Sequence, residues 1–539
     1  MKIRLPDEVK IFTATDNGHS FRGDGCVRLD DVILCSRVEN GALTVSVSAN
    51  TTPLFHVRFR WNFREDEKRR GVRILGDSWE RSYGELEWRG AVPHRFMPWY
   101  ILVSNGSDAT PDTSDRFTEC FGVDVRPAAM CTWQYDTSGV TLWMDVRCGG
   151  DGVILAGRQL EVCRIRMEEY RGCLAFDAGK KFCREMCPDG LLSKKPIYGF
   201  NNWYYAVGES SHEEFLRGAR LMASLSEGLE NRPYAVVDDG WQKHPCDGPW
   251  NITSESFPDM ERLAADITET GCIPGIWIRP LLNTTRTGVT DDMFLSCRPE
   301  VLDPSLPSVI EYVKDSIKQI KAWGYKLLKH DFTSFDIFGR DGFSNPKYLA
   351  DNGWSFADRS RTSAEITLDL YRAILDAAGD DMTVLACCTP SHLTAGLAQI
   401  MRTGFDTSSR HFERTRLSGV NTLAFRLMQN GIFYTVDADC VCHAGRIDWA
   451  LNREWLKLVA DSGTALFLST DPDLTGEEHL RDMLPAVALA AAGGRSMRPV
   501  DWMENQDPDE YFADGESFTY RWYAEEGTRQ FIPPTEQIY

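Results

Sequence analysis

Two hydrophobic rhythms divide the chain near residue 190. Before it, short runs rich in Val, Ile, Thr and aromatic residues are broken by Gly, Asn, Asp and Ser, as in residues 42–47, 51–61, 99–103 and 139–146. Successive strand side chains point to opposite faces, so short runs of this make-up between turn residues predict strands. Residues 1–190 are therefore expected to form an N-terminal β-sandwich domain. From Pro196 the rhythm becomes strand, loop and helix. Predicted strands span 197–203, 234–238, 273–278, 325–331, 383–388, 399–403, 432–436 and 465–469. Helical spacing lies between them. Ser211 and Glu214 have the form of a capping box ahead of Phe215, Ala219, Met222 and Leu225; Val309, Val313, Ile317 and Ile320 share a face before Gly324; Ile366, Leu370 and Ile374 do so before Gly379. Eight strands alternating with helices predict an α/β architecture, a (β/α)8 TIM barrel over residues 191–494. A doubly wound open sheet is the rival, and the lack of a Gly-rich phosphate loop after the first strand weighs against it. Residues 495–539 are expected as a short C-terminal β segment, with a hairpin made from 518–523 and 528–532.

Composition narrows the function. With 42% hydrophobic and 26% charged residues among 539, the chain is globular. Its net charge of −20 has the wrong sign for binding nucleic acid or an anionic membrane. That acidity suits a neutral partner such as a sugar. No run reaches the length of a membrane span. The first residues carry no apolar signal-peptide core, so a cytoplasmic enzyme is expected, with its 16 cysteines reduced. Cys440, Cys442 and His443 are ligand types without a second ligand pair, and neither metal nor cofactor is expected.

The chemistry gathers where a barrel keeps it, at the C-terminal ends of strands. Those positions hold Trp203, Asp238-Asp239, Trp277 with Arg279, Lys329 with Asp331, Cys387, Arg402 with Asp406, and Asp437 with Asp439. Carboxylates accept hydrogen bonds from sugar hydroxyls, and an indole covers the apolar face of a pyranose. Two further carboxylates can cleave a glycosidic bond. Lys329, two residues before Asp331, shares its face and would keep it ionised as a nucleophile. Asp406 comes from another strand, as a flanking acid/base must. Each element has a plain structural reading: Asp238-Asp239 as a helix N-cap, Lys329 and Asp331 as a surface ion pair, Arg402 and Asp406 as a salt bridge, Trp203 and Trp277 as core, Cys387 as a small buried hydrophobe, His330 as packing. Their coincidence at the mouth of one barrel favours function.

These residues resemble the α-galactosidase superfamily, glycoside hydrolase family 36 with its relative family 27. Residues 199–204 resemble its Gly-Trp-Asn-Ser-Trp block, 236–242 its Asp-Asp-Gly-Trp, 329–331 its Lys-x-Asp, 386–390 its Gly-Cys-Gly-Ala-Pro, 402–406 its Arg-x-x-x-Asp, and 437–440 its Asp-Pro-Asp-Cys. The resemblance implies Asp331 as nucleophile and Asp406 as acid/base. It implies Asp238 and Asp239 on the 4- and 6-hydroxyls, Lys329 on substrate hydroxyls and Arg402 near the 2-hydroxyl; from their strand ends, Trp203, Trp277, Arg279 and Cys387 are expected to complete the substrate site. The implied activity is a retaining exo-α-glycosidase on terminal α-D-galactosides. An α-N-acetylgalactosaminidase, a raffinose-synthase-like transferase and a non-catalytic carbohydrate-binding barrel are the alternatives. The partner is a small-molecule or oligosaccharide substrate, with a homo-oligomer left open. The sequence departs from the family at Phe332-Thr333-Ser334, where an Asn is usual, at Arg279, where a carboxylate is frequent, and at Ala438 of the Asp-Ala-Asp block. Arg279 could accordingly favour an acidic or otherwise modified sugar.

Overall fold

Alternation in the first third of the chain builds two facing sheets. In the strand Ala42–Ser48, Leu43, Val45 and Val47 are buried; in His56–Asn62, Val57, Phe59 and Trp61 are. A computed structural model, describing residues 2–110, 112–340, 342 and 349–522, places these strands in different sheets. The six-stranded antiparallel sheet runs Gly18–Arg22, Glu8–Phe12, His56–Asn62, Gly139–Asp145, Met130–Asp136, Met97–Pro98. The seven-stranded one runs Cys26–Leu29, Val32–Glu39, Ala42–Ser48, Gln159–Arg171, Phe117–Val123, Tyr100–Ser104, Arg73–Gly76. Phe121 of one sheet meets Trp133 of the other with ring centroids 6.1 Å apart.

Two expectations need correction here. The strand read from residue 51 starts at His56, because the Asp31 carboxylate accepts hydrogen bonds from the N–H groups of Asn50 and Thr51 at 2.8 and 2.6 Å and folds that stretch into a turn. The thiols are not all reduced either. Cys26 and Cys35 stand directly opposite across an antiparallel pair and form a disulfide, while the other cysteines are free. Their spacing of nine residues carries no signal until the hairpin's register is known.

Eight parallel strands follow: β1 (Tyr198–Asn201), β2 (Tyr234–Val237), β3 (Ile273–Ile278), β4 (Leu327–His330), β5 (Thr383–Ala386), β6 (Ile400–Arg402), β7 (Thr435–Asp437) and β8 (Leu466–Thr470). They pair in sequence order from β1 to β7, and β8 pairs with β1. A bridge between Asp437 and Ala465, with the Ala465 N–H donating to the Val436 carbonyl at 2.9 Å, closes the barrel. The predicted helical faces are those of His212–Leu225, Pro307–Ala322 and Ser363–Ala378, the first capped by the Ser211 side chain. β1 ends two residues earlier than expected because Asn201 Oδ1 accepts from the Trp203 N–H at 2.9 Å and starts a short helix, Trp203–Ala206. β7 starts later than expected: Ile432 and Phe433 both donate to the Gln429 carbonyl in a buried turn, which an apolar run cannot reveal.

The C-terminal sheet has three strands, Arg498–Pro499, Glu510–Ala513 and Glu516–Thr519. A hairpin turns at Asp514-Gly515, both at positive φ, and sets Glu516–Thr519 against Glu510–Ala513; the expected run 528–532 lies outside the described residues. Among the described residues no helix is long and apolar enough to cross a membrane.

Residues 77–86, a strap from the sandwich, cross the mouth of the barrel. The Ser82 N–H donates to the Thr403 carbonyl and the Phe405 N–H to the Ser82 carbonyl, both at 2.8 Å. Glu80 takes hydrogen bonds from Ser334 and from the Gly342 N–H. Gly84 sits at φ +83° against Leu417, where a Cβ would lie 2.9 Å from the carbonyl oxygen. Beneath the strap Arg426 donates to Asp77 Oδ1 at 2.9 Å and to the carbonyls of Ser78 and Thr403 at 3.1 Å each. Both ionic side chains are within 1% of complete burial. Breaking such a pair strands a buried charge, so Asp77→Ala is expected to lower stability by about 3–5 kcal/mol in urea denaturation. A loss below about 1 kcal/mol, the scale of an exposed pair, would contradict this anchoring role.

Candidate active site

A cavity of about 520 Å³ opens at the C-terminal ends of the strands. Trp203, Asp238, Asp239, Trp277, Lys329, Asp331, Arg402 and Asp406 line it. Asp238, just past β2, is buried; its Oδ2 accepts from Lys329 Nζ and from Asn201 Nδ2, each at 2.7 Å. The Asn202 side chain accepts from the Asp238 N–H at 2.9 Å, so the Asn201-Asn202 pair after β1 fixes this carboxylate. Asp239 accepts from Gln242 and from the Cys246 N–H, the latter at 2.7 Å. Burial, aided by Asp238, pushes the Asp239 carboxyl up against those hydrogen bonds.

Asp331 stands one residue past β4. Burial alone would raise its carboxyl. Lys329 and Arg81, with hydrogen bonds from Cys388 and Trp277, outweigh burial and hold the carboxyl well below the usual carboxylate range. The Trp277 indole donates to Oδ2 at 3.1 Å and the Phe332 N–H to Oδ1 at 2.7 Å. Phe332 makes that second bond from φ +62°, a left-handed conformation uncommon for an aromatic residue. His330 faces the other way, against Tyr371, and burial drops it to about 4, so it is neutral near pH 7.

Asp406 follows β6 through a short loop. Its Oδ1 accepts from Arg402 Nη2 at 2.8 Å and from Arg81 Nη1 at 3.4 Å. Burial again acts upward, and Arg402, Arg81 and Arg414 together pull the carboxyl below its ordinary value. Arg402 is braced from behind by Asp439 at 2.7 Å; Tyr204 and the Thr407 N–H also donate to that carboxylate. Below them burial, opposed first by Arg402, raises Asp437 to about 6.

Two expected residues are elsewhere. Arg279 does not reach the cavity wall. Its guanidinium is 2.5 Å from the buried Asp336 carboxylate and lies 4.4 Å from the Phe332 ring centroid, so its charge is spent on a structural pair. Cys387 lies in the apolar layer under the floor with Val236, Leu327 and Leu385. Its thiol, that of Cys388 and the Asp331 carboxylate have ligand atoms within 4.8 Å of one another. The set does not suit a cation, because Lys329 and Arg81 already neutralise Asp331 and burial keeps the Cys388 thiol protonated.

The cavity also has walls that were not expected as site residues: Arg81, Tyr204, Cys246, Phe332, Phe335 and Phe405. Tyr204, Phe332 and Phe405 adjoin named residues and were within reach of the strand-end argument. Arg81 was not, since nothing in its neighbourhood reads as barrel.

The fold has solved counterparts. TtGalA, an α-galactosidase from Thermus thermophilus in complex with p-nitrophenyl α-D-galactopyranoside, superposes with a TM-score of 0.59 at 17% identity, over 92% of this chain and 99% of that one. A variant of AgaA, a family 36 α-galactosidase from Geobacillus stearothermophilus, in complex with raffinose, gives 0.61 at 14% identity, over 94% and 79%. The chain has the fold of these two structures. No protein-family model matches its sequence. In this chain the sandwich precedes the barrel, and the cavity lies at the barrel mouth where ligands bind in (β/α)8 architectures generally.

Proposed function

We propose that the chain is a retaining exo-α-glycosidase that hydrolyses terminal α-D-galactosides by double displacement. The observation that carries the reading is the pair Asp331 and Asp406, which reach one cavity from different strands beside a sugar-binding set of Asp238, Asp239 and Lys329. Asp331, held ionised, attacks the anomeric carbon. Asp406 protonates the departing glycosidic oxygen and then deprotonates the water that releases the sugar. A carbohydrate-binding module has no use for both carboxylates. The ligands in the two solved relatives, an aryl α-galactoside and raffinose, support the same sugar. Lys329 and Asp238 offer a donor and an acceptor within 2.7 Å of each other, a pair suited to a single hydroxyl such as an axial 4-hydroxyl. A site built for that hydroxyl leaves buried charges unpaired when the 4-epimer binds.

A panel of nitrophenyl α- and β-glycosides tests the reading. We expect turnover of the α-galactoside in preference to the α-glucoside, with proton NMR showing the α anomer of galactose first. Asp239→Asn should lower kcat/KM by roughly 10- to 100-fold, the loss of a charged hydrogen bond. A β anomer as first product would reject double displacement, and turnover confined to another α-glycoside would reject galactose alone.

A further inference from the structure

Every residue of the cavity wall described above belongs to the barrel except Arg81, which the sandwich strap delivers. Its side chain is 5% exposed. Burying a guanidinium is costly unless something fixed receives it. Among the groups that receive it are Asp406 Oδ1, 3.4 Å from Nη1, and the rings of Phe405 and Tyr83, whose centroids lie 5.1 and 5.9 Å from the guanidinium carbon. Arg402 donates to that same oxygen from the opposite domain at 2.8 Å. Among the described residues no hydrogen bond is made to Asp406 Oδ2.

We infer that Arg81 is a positioning residue for the acid/base: with Arg402 it clamps Asp406 Oδ1, so that Oδ2 is the oxygen that exchanges the proton. The inference rests on the hydrolase reading above. In the first step the proton passes from Oδ2 to the glycosidic oxygen as its bond to the anomeric carbon breaks and Asp331 forms the new one. In the second, Oδ2 takes a proton from water as the water oxygen displaces Asp331. Arg81 also sets the charge around that carboxylate. Facing Asp406 are Arg402 on its own segment, Arg81 from the strap, Arg414 from the helix Phe412–Thr415 and Asp331 after β4. Tyr204 after β1 and Cys442 in the short strand Val441–His443 interact with it as neutral groups, and Arg410 and His411 line a smaller hollow beside it. Removing one of three close guanidinium groups leaves the proton easier to keep.

The test is kcat/KM against pH for the full chain, with nitrophenyl and alkyl α-galactosides, in wild type, R81Q and R81K. The alkaline limb reports the free enzyme's essential acid. R81Q is expected to move it upward by roughly 1–3 pH units. It should also cost roughly tenfold or more on the alkyl galactoside, and less on the nitrophenyl one, which leaves without full protonation. R81K, keeping the charge on a shorter arm, should restore the limb but not the alkyl-galactoside rate. An unmoved limb in R81Q, or equal losses on both substrates, overturns the assignment. If R81Q does not fold, R81K decides alone: leaving-group-dependent loss supports it and equal loss overturns it. A wild type inactive on every α-glycoside rejects the hydrolase reading and this inference together, whereas an active wild type with pH-insensitive variants rejects only Arg81.

Discussion

Asp331→Ala is expected to abolish turnover of α-galactosides, by on the order of four powers of ten or more, with the fold intact. The other carboxylates of the cavity are engaged: Asp238 is held by Lys329 and Asn201, Asp239 by Gln242 and the Cys246 N–H, and Asp406 by two arginines. Because Lys329, Arg81 and two hydrogen bonds overcome burial and keep the Asp331 carboxyl depressed, it is ionised at every pH above the ordinary carboxylate range. No loss of activity between pH 5 and 8, as pH falls, should therefore trace to this group. In the variant, azide can enter the space that the carboxylate leaves and attack an activated substrate from the same side. Formation of a β-galactosyl azide, detected by NMR, is the expected signature. Turnover near the wild-type rate would remove Asp331 from the mechanism.

Asp406→Ala should separate substrates by their leaving groups. A nitrophenolate departs with little help, while a sugar alkoxide needs the proton, so the loss on a disaccharide should exceed that on the aryl glycoside by roughly 100-fold. Azide should speed the second half of the reaction on the aryl substrate and give the α-azide, because the covalent intermediate no longer has a base to activate water. Equal losses on both substrates, without rescue, would argue that Asp406 only anchors Arg402.

Much of this was open to sequence reasoning because strand ends in a barrel converge. The eight strands were legible as short apolar runs between helical patterns, and their polar termini then fell on one mouth without further information. Trp277, Lys329 and Asp331 followed from that logic. Arg279 followed the same logic and failed: it lies just beyond β3, where strand alternation no longer governs direction, and Asp336 captured it. Cys387 likewise lies beyond β5, and its small apolar side chain fills the floor. Arg81 lay beyond such reasoning for a different cause. Its role depends on how one domain folds over another, and no periodicity or local spacing reports a contact across 325 residues. The Cys26–Cys35 bond was hidden in the same way, since it depends on register rather than spacing.

The strap also bears on how such a chain can be recombined. The obvious place to splice two relatives is the connector between the helix Ala175–Met186 and β1, where the sandwich hands over to the barrel. A chimaera cut there would inherit a strap from one parent and its seats, Thr403, Arg426 and Ser334, from the other. Two parents with compatible folds would then give a well-folded hybrid whose reactive centre is mismatched. The unit that must travel intact is not either domain but the strap with its seats.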